Sequence, residues 1–342
     1  MTGIIDLHCD TLVECYLGKS GLRSWEGHLN LEKMLASGGA AQCFAVFTAT
    51  GEAAARMGVT LEPYEMFQEV YAFYIQQLSA NCDLIAPACN AWELEENQKR
   101  GKLSAILTLE DCIMLEGKLE RVDLLADMGV AMAGLTWNYE NSVGYPNSSC
   151  PEKHGMGLLP FGIEAVRRMN EKGIIVDVSH LSQGGFYDVA RHSGKPFVAS
   201  HSCARELCGH SRNLDRRQLR MIGEKGGVVG VNFCAAFLEE GSQVTKNRQI
   251  AEHAAFIADQ AGMEAVALGS DFDGIQCGLE MVDYTGYSRL IEELQRHFTD
   301  DQIDGICSGN FLRVFRECAG QRTSRLSALL EDQKYQNPVL EI

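Results

Sequence analysis

Three things are scarce in this 342-residue chain. Positive charge is one: 30 Lys and Arg stand against 46 Asp and Glu, a formal net charge of −16. Binding to a phosphate backbone is driven by the opposite balance, which excludes a nucleic-acid partner. Long apolar runs are another. No stretch reaches the ~18 uninterrupted apolar residues of a membrane span, and Met1-Thr-Gly-Ile-Ile-Asp6 lacks the basic segment and apolar run of a secretory signal. The expectation is a cytoplasmic protein with no membrane partner. Paired cysteine is the third: the 13 cysteines are odd in number, and none forms a Cys-x-x-Cys pair, which argues against a disulfide scaffold. Several, such as Cys43 in Ala-Gln-Cys-Phe-Ala-Val-Phe47, lie in apolar runs where a thiol packs as a small hydrophobe, as expected of a reducing compartment.

What is present is alternation. Short apolar runs, bounded as Ile4–His8, Ala41–Phe47, Ser104–Leu109, Met132–Leu135, Ile174–Val178, Phe197–Ser200, Val228–Phe233 and Ala265–Gly269, read as strands. Between them lie stretches with apolar spacing near 3.6, among them Pro63–Leu78, Gly162–Glu171, Leu214–Gly223, Ile250–Ala261 and Ser288–Phe298, which read as helices. Glu-Lys-Gly before Ile174 and Glu-Lys-Gly-Gly before Val228 fit a helix ending ahead of a strand. Eight such units predict an α/β fold, a (β/α)8 TIM-like barrel of the metal-dependent hydrolase type, over residues 1–320. The polar remainder, 321–342, reads as a C-terminal tail. Asn138–Pro160, rich in Asn, Ser, Gly and Pro, is too long for a simple connection and is expected to be a functional loop.

Polar residues collect at the C-terminal ends of these runs, where barrel enzymes place their active sites. In Asp6-Leu7-His8-Cys9-Asp10, strand alternation puts His8 and Asp10 on one face, so that an imidazole and a carboxylate can share one zinc. Glu110 ends an apolar run in which an unpaired carboxylate would be costly, and a metal pair would supply the positive partner. His180 and His201 close two successive strands, repeating the ligand pattern expected for a second zinc. Asp271 and Asp273, in Gly-Ser-Asp271-Phe-Asp273-Gly274, fall on one face by the same alternation. A carboxylate near two cations stays ionised yet can accept a proton from water, which suits Asp271 as a general base. Each motif alone has a plainer reading as a turn, a cap or a structural pair. The remaining histidines, His28, His154, His192, His210, His253 and His297, sit in helical or loop contexts and are not expected to be ligands.

The ordered series resembles the membrane (renal) dipeptidases, zinc dipeptidases of the amidohydrolase superfamily. It runs from His8-Cys-Asp10-Thr through Glu110, Asp-Val-Ser-His180, Ala-Ser-His201-Ser, Arg212-Asn213 and Gly-Ser-Asp271-Phe-Asp-Gly to Gly-Asn310-Phe-Leu-Arg-Val, nearly the whole chain. The resemblance implies two zinc ions per chain, His8 and Asp10 on one, His180 and His201 on the other, with Glu110 bridging. It assigns proton transfer to Asp271 and capture of the substrate's terminal carboxylate to Arg212. Trp137, followed by Asn138 at the start of the long loop, stands where animal members have a histidine that contacts the substrate. Both are expected to line the pocket, and the Trp removes a hydrogen-bond donor near the scissile carbonyl. The implied reaction is hydrolysis of a dipeptide, including one with a D-residue at the C-terminal position. Metals and fold alone would also serve an N-acyl amino acid, a lactone or a phosphoester, or a noncatalytic barrel. A homo-oligomer is allowed by the sequence but not read from it.

Overall fold

The apolar runs do form strands. The computed structural model describes residues 3–320 together with Arg322, Leu326 and Leu330, so most of the predicted tail lies outside the described residues. The barrel strands are β1 (Ile4–Cys9), β2 (Gly39–Phe47), β3 (Leu103–Glu110), β4 (Met132–Gly134), β5 (Ile175–Asp177), β6 (Val198–Ser202), β7 (Val228–Val231) and β8 (Val266–Leu268). Each pairs in parallel with the next, and β8 returns to β1 through Asp6 and Leu268, which closes the ring.

Alternation along the strands divides the core in two. Ile5, Leu7, Cys43, Ile106, Met132, Ile175, Val198, Val228 and Ala267, with every strand represented, pack together and with Phe311 and Phe315 of the helix Asn310–Ala319. A cluster to which all eight strands contribute is the inside of the barrel, and Phe311 and Phe315 add bulk to its packing. Residues one step along, such as Phe44, Leu107 and Val229, join the larger cluster formed with the surrounding helices.

The five helices expected from periodicity are present as Pro63–Ala80, Pro160–Lys172, Arg216–Glu224, Asn247–Ala261 and Tyr287–Leu294. Shorter ones also form, including Thr11–Leu17, Gly51–Met57 and Ala91–Lys99. A three-residue strand, Ile85–Pro87, adds to the start of β3, and a two-residue pair joins Val244–Thr245 to Gly278–Leu279. Both are too short to show a period of two. Among the described residues no helix is long and apolar enough to cross a membrane.

Candidate active site

Two of the expected site histidines face the barrel mouth because their strands are irregular. With Ile5 and Leu7 inside, a regular strand would turn His8 outward. Instead Asp6 pairs with Gln42 and Cys9 with Phe44, so three steps of β1 match two of β2. The same shift occurs in β6, where Ala199 pairs with Val229 and Ser202 with Val231 across His201. Such one-residue bulges re-aim side chains at barrel rims. Glu110 needs no such device, since β3 pairs regularly with β2 from Ser104 to Glu110. His180 lies beyond the end of β5 with φ 66°, a left-handed conformation uncommon outside glycine. The long loop holds it there: the Asn147 backbone N–H donates to the His180 carbonyl at 2.6 Å.

These side chains converge. Glu110 lies between the others, its Oε2 3.6 Å from His8 Nε2 and its Oε1 3.2 Å from His180 Nε2 and 3.6 Å from His201 Nε2. On the far side of His8, Asp10 Oδ2 is 3.6 Å and Asp271 Oδ1 3.9 Å from the same nitrogen. His8, Glu110 and His201 form one group able to hold a metal ion, and His8, Asp10 and Asp271 another.

The protonation pattern fits cation binding. Ser200 Oγ donates to Asp177 Oδ2 at 2.5 Å and lies 2.7 Å from His201 Nδ1. Its hydrogen being committed to Asp177, Ser200 accepts the Nδ1 proton, leaving His201 Nε2 with a bare lone pair. His180 Nδ1 faces Asn138 Oδ1 at 3.1 Å, which leaves its Nε2 bare in the same way. Those two Nε2 atoms sit 3.1 Å apart, an arrangement that repels unless a cation lies against both. His8 Nε2, on a residue only 3% exposed, has no hydrogen-bond partner.

Charge points the same way. Burial, reinforced by Asp10 and Asp271, outweighs His8 and pushes the Glu110 carboxyl well above the usual carboxylate range. Burial likewise lifts Asp271 to about 6, against the lowering effect of His8. Burial would depress His8, but Glu110 and Asp10 hold it up at about 10. His180 and His201 are held well below their ordinary value, by burial first and nearby positive groups second. Three carboxylates in one buried cavity exceed what His8 and Arg212 can neutralise, and divalent cations would meet the shortfall.

Arg212 is 6% exposed. Its Nη2 donates to the His201 carbonyl at 3.3 Å, its Nε has no partner, and its guanidinium lies 5.5 Å from the centre of the Phe237 ring. It lines the same cavity, of about 590 Å³, as Asp10, Glu110, Trp137, Asn138, His180 and Asp271. Trp137 forms a wall, with ring centres 4.8 Å from Phe47 and 6.1 Å from His180.

Asp271 and Asp273 do not share one face as strand alternation predicted. β8 ends at Leu268, and both aspartates adopt positive φ, 64° and 67°, so a period of two no longer applies. Asp271 Oδ2 accepts from Asn232 Nδ2 at 2.9 Å and its Oδ1 faces His8. Asp273 is tied elsewhere, accepting from Thr11 Oγ1 at 2.6 Å, Trp25 Nε1 at 3.0 Å and the His28 backbone N–H at 2.6 Å. Gly274 packs against Asp10 and Asp271. A Cβ there would lie 2.0 Å from Asp10 Oδ2 and 2.6 Å from Asp271 Oδ1.

The other histidines are occupied elsewhere: His28 accepts from the Asp273 backbone N–H, His154 from Ser148, His210 from Arg212 and His253 from Ala204, while His192 lies against Arg167 and His297 against Phe298. Sequence reasoning missed Asn232, Phe237 and the buried pairs that support the ligands. Asp177 accepts from the Ser179 and Ser200 backbone N–H groups as well as from Ser200 Oγ. Asp6 does the same with His8, Ser270 and Ser270 Oγ, and takes a further bond from Tyr287. A repeated Asp two or three residues before a histidine was the available signal.

Barrel and site together define a metal-dependent hydrolase of the amidohydrolase type. The chain belongs to the membrane dipeptidase family, peptidase family M19, whose model matches residues 1–327; it is a metallo-dipeptidase. Among its relatives, an uncharacterised protein in the pqqA 5′ region of Klebsiella pneumoniae is 32% identical over 262 residues, 75% of this chain and 97% of that one. Dipeptidase aclJ of Aspergillus oryzae is 33% identical over 242 residues, 68% of this chain but 56% of its own length. A metallo peptidase from Rhodobacter sphaeroides, solved with a phosphinate mimic of the dipeptide L-Ala-D-Ala, superposes with a TM-score of 0.85 at 26% identity, covering 92% of this chain and 99% of that one.

Proposed function

We propose that this chain cleaves dipeptides, including those with a D-residue at the C-terminal position, at a site for two zinc ions. His8 and Asp10 would hold one ion, His180 and His201 the other, with Glu110 between them. The observation that carries the reading is Arg212, a buried guanidinium with a spare donor, Nε, in the same cavity as Asp10, Glu110 and His180. A buried fork of donors suits a carboxylate, and a carboxylate that close to the reacting bond belongs to a substrate ending one residue beyond it. The D-residue rests on the mimic bound by the Rhodobacter sphaeroides relative.

Bound zinc would supply Lewis acidity, making water nucleophilic at neutral pH and polarising the scissile carbonyl. The side chains supply the rest. Asp271, oriented by Asn232, takes a proton from the attacking water and returns it to the departing amine. Arg212 fixes the substrate's terminal carboxylate, while Trp137 and Asn138 close one wall of the cavity. Trp137 offers a ring face next to His180 where animal members have a histidine, so this wall positions the substrate by packing.

A hydrolysis screen over dipeptides with L- and D-residues at the second position, run beside N-acyl amino acid, lactone and phosphoester panels, tests the reading. Turnover confined to free-carboxylate dipeptides is expected. Preference for lactones or phosphoesters would overturn it.

A further inference from the structure

The order of strands around the barrel decides which wall each end of a dipeptide meets. Arg212 follows β6, and in a closed ring of eight strands β6 lies opposite β2. A dipeptide with its terminal carboxylate on Arg212 and its peptide bond at Glu110 therefore carries its first residue toward the segments that follow β1 and β2.

Those segments line the same cavity through Val13 and Glu14 of the helix Thr11–Leu17, Phe47 at the end of β2, and Ala53, Arg56 and Met57 of the helix Gly51–Met57. Val13, Phe47 and Ala53 are buried and Met57 is half-buried, so the wall is mostly apolar. Glu14 adds a charge to it. Its backbone N–H donates to the Asp10 carbonyl at 3.0 Å, one helical turn back, and residues four apart share a helix face. Although Glu14 is half-buried, among the described residues its carboxylate takes no hydrogen bond and forms no ion pair. Arg56 carries the opposite sign but is exposed, so water and salt screen it. At comparable separation, a half-buried carboxylate attracts a cation more strongly than an exposed guanidinium repels it.

An apolar wall with an unpaired carboxylate beside it suits a long apolar stem that ends in a positive charge. We propose that Glu14 determines specificity at the first substrate position, selecting dipeptides that begin with Lys or Arg. The assignment rests on the dipeptidase reading, with Arg212 holding the opposite end of the substrate.

The test compares lysyl-alanine with norleucyl-alanine, which share a side-chain stem and an α-ammonium and differ in the terminal cation. Both are assayed with D- and L-alanine at the second position, on the zinc-loaded protein and on Glu14→Gln, with zinc content and Tm recorded. The wild-type protein is expected to favour the lysyl substrate by roughly tenfold in kcat/KM, the scale of one charge-assisted bond at a half-buried site. In Glu14→Gln that ratio should fall to about one, with the change mainly in KM. An equal loss on both substrates would mean that Glu14 supports the fold or meets the shared α-ammonium, and overturns the assignment. So does a wild-type protein that cleaves both without preference, or one that favours glutamyl-alanine and loses that preference in Arg56→Gln. If the wild-type protein cleaves neither lysyl- nor norleucyl-alanine, the dipeptidase reading itself fails and takes the role of Glu14 with it; cleavage without preference removes the role of Glu14 alone.

Discussion

Replacing Arg212 with Met tests whether this buried cation is a carboxylate clamp. The substitution keeps an unbranched apolar stem of similar length and removes the guanidinium, together with its contact 5.5 Å from the centre of the Phe237 ring. In the free protein that group makes a single long hydrogen bond, to the His201 carbonyl at 3.3 Å, and its Nε is unsatisfied, so folding should lose little. In the substrate complex it would make charge-assisted bonds to a carboxylate inside a buried cavity, worth about 1.5–3 kcal/mol each before non-additivity. A net loss of about 3 kcal/mol corresponds, at ~1.4 kcal/mol per tenfold, to a fall of roughly a hundredfold in kcat/KM. The loss should fall mainly on KM, because ground and transition states share the clamp. C-terminally amidated dipeptides, which lack the carboxylate, should change by less than about threefold. The assay is kcat and KM for matched free and amidated dipeptides, with zinc content and Tm recorded for both proteins. Equal losses on the two substrate classes, at unchanged zinc and Tm, would refute the clamp.

Metal analysis of the purified protein should give about two zinc ions per chain, with activity lost on chelation and restored by zinc; saturation at one ion in active protein contradicts the paired site. Asp271→Asn should lower kcat by about 10²–10⁴ with most zinc retained, and loss of metal with no separate effect on turnover would reassign it as a ligand. Asp273→Asn should be milder for kcat and harsher for stability, by on the order of 2 kcal/mol at pH 7, because its charge is held by three hydrogen bonds. Burial pushes the Asp273 carboxyl up, but bonds from His28 and Thr11 outweigh it and leave the carboxyl below its ordinary value. Its stabilisation is thus complete above about pH 4 and lost as pH falls through the lower folded value, so the two proteins' stabilities should converge in acid; a constant gap down to pH 2 would contradict this. Gly274→Ala should cost metal and activity together, since its Cβ would fall on Asp10 and Asp271; full zinc content in that variant would show that the turn can yield.

How far the site was legible follows from where its information sits along the chain. Glu110 could be read outright: a regular strand carries its alternation from Ser104 to Glu110, and a carboxylate at the end of an apolar run is conspicuous. His8 was found by its alternation with Asp10 and His201 because it closes a strand, and neither reading contains the register that aims them. Counted from Ile5 and Leu7, or from Val198, regular alternation would turn both outward, and only a one-residue bulge in each strand aims them at Glu110. A bulge is set by how one strand registers against its neighbour, which no single stretch of sequence records. Asp271 and Asp273 show the converse, where alternation was extended past the last strand residue into a turn of positive φ.

The least legible layer is the one that fixes the imidazoles. Ser270 reaches Asp6 across 264 positions and Ser200 reaches Asp177 across 23, pairings that exist only once the barrel closes. Yet the two are the same device. In each, an aspartate on one strand takes a backbone N–H and a hydroxyl from a serine of the adjacent unit, Ser200 within β6 and Ser270 just past the end of β8, and also takes a backbone N–H two residues further along its own chain segment. Each clamp lies beside a bulge that carries a histidine. A bulge alone leaves a strand end free to choose its twist; a buried carboxylate with three donors does not, because an unsatisfied charge there would cost several kcal/mol. The barrel thus holds the segments that carry His8 and His201 by the same physical means, through Asp6 and Asp177, and the two imidazoles meet with ring centres 3.8 Å apart beside Glu110.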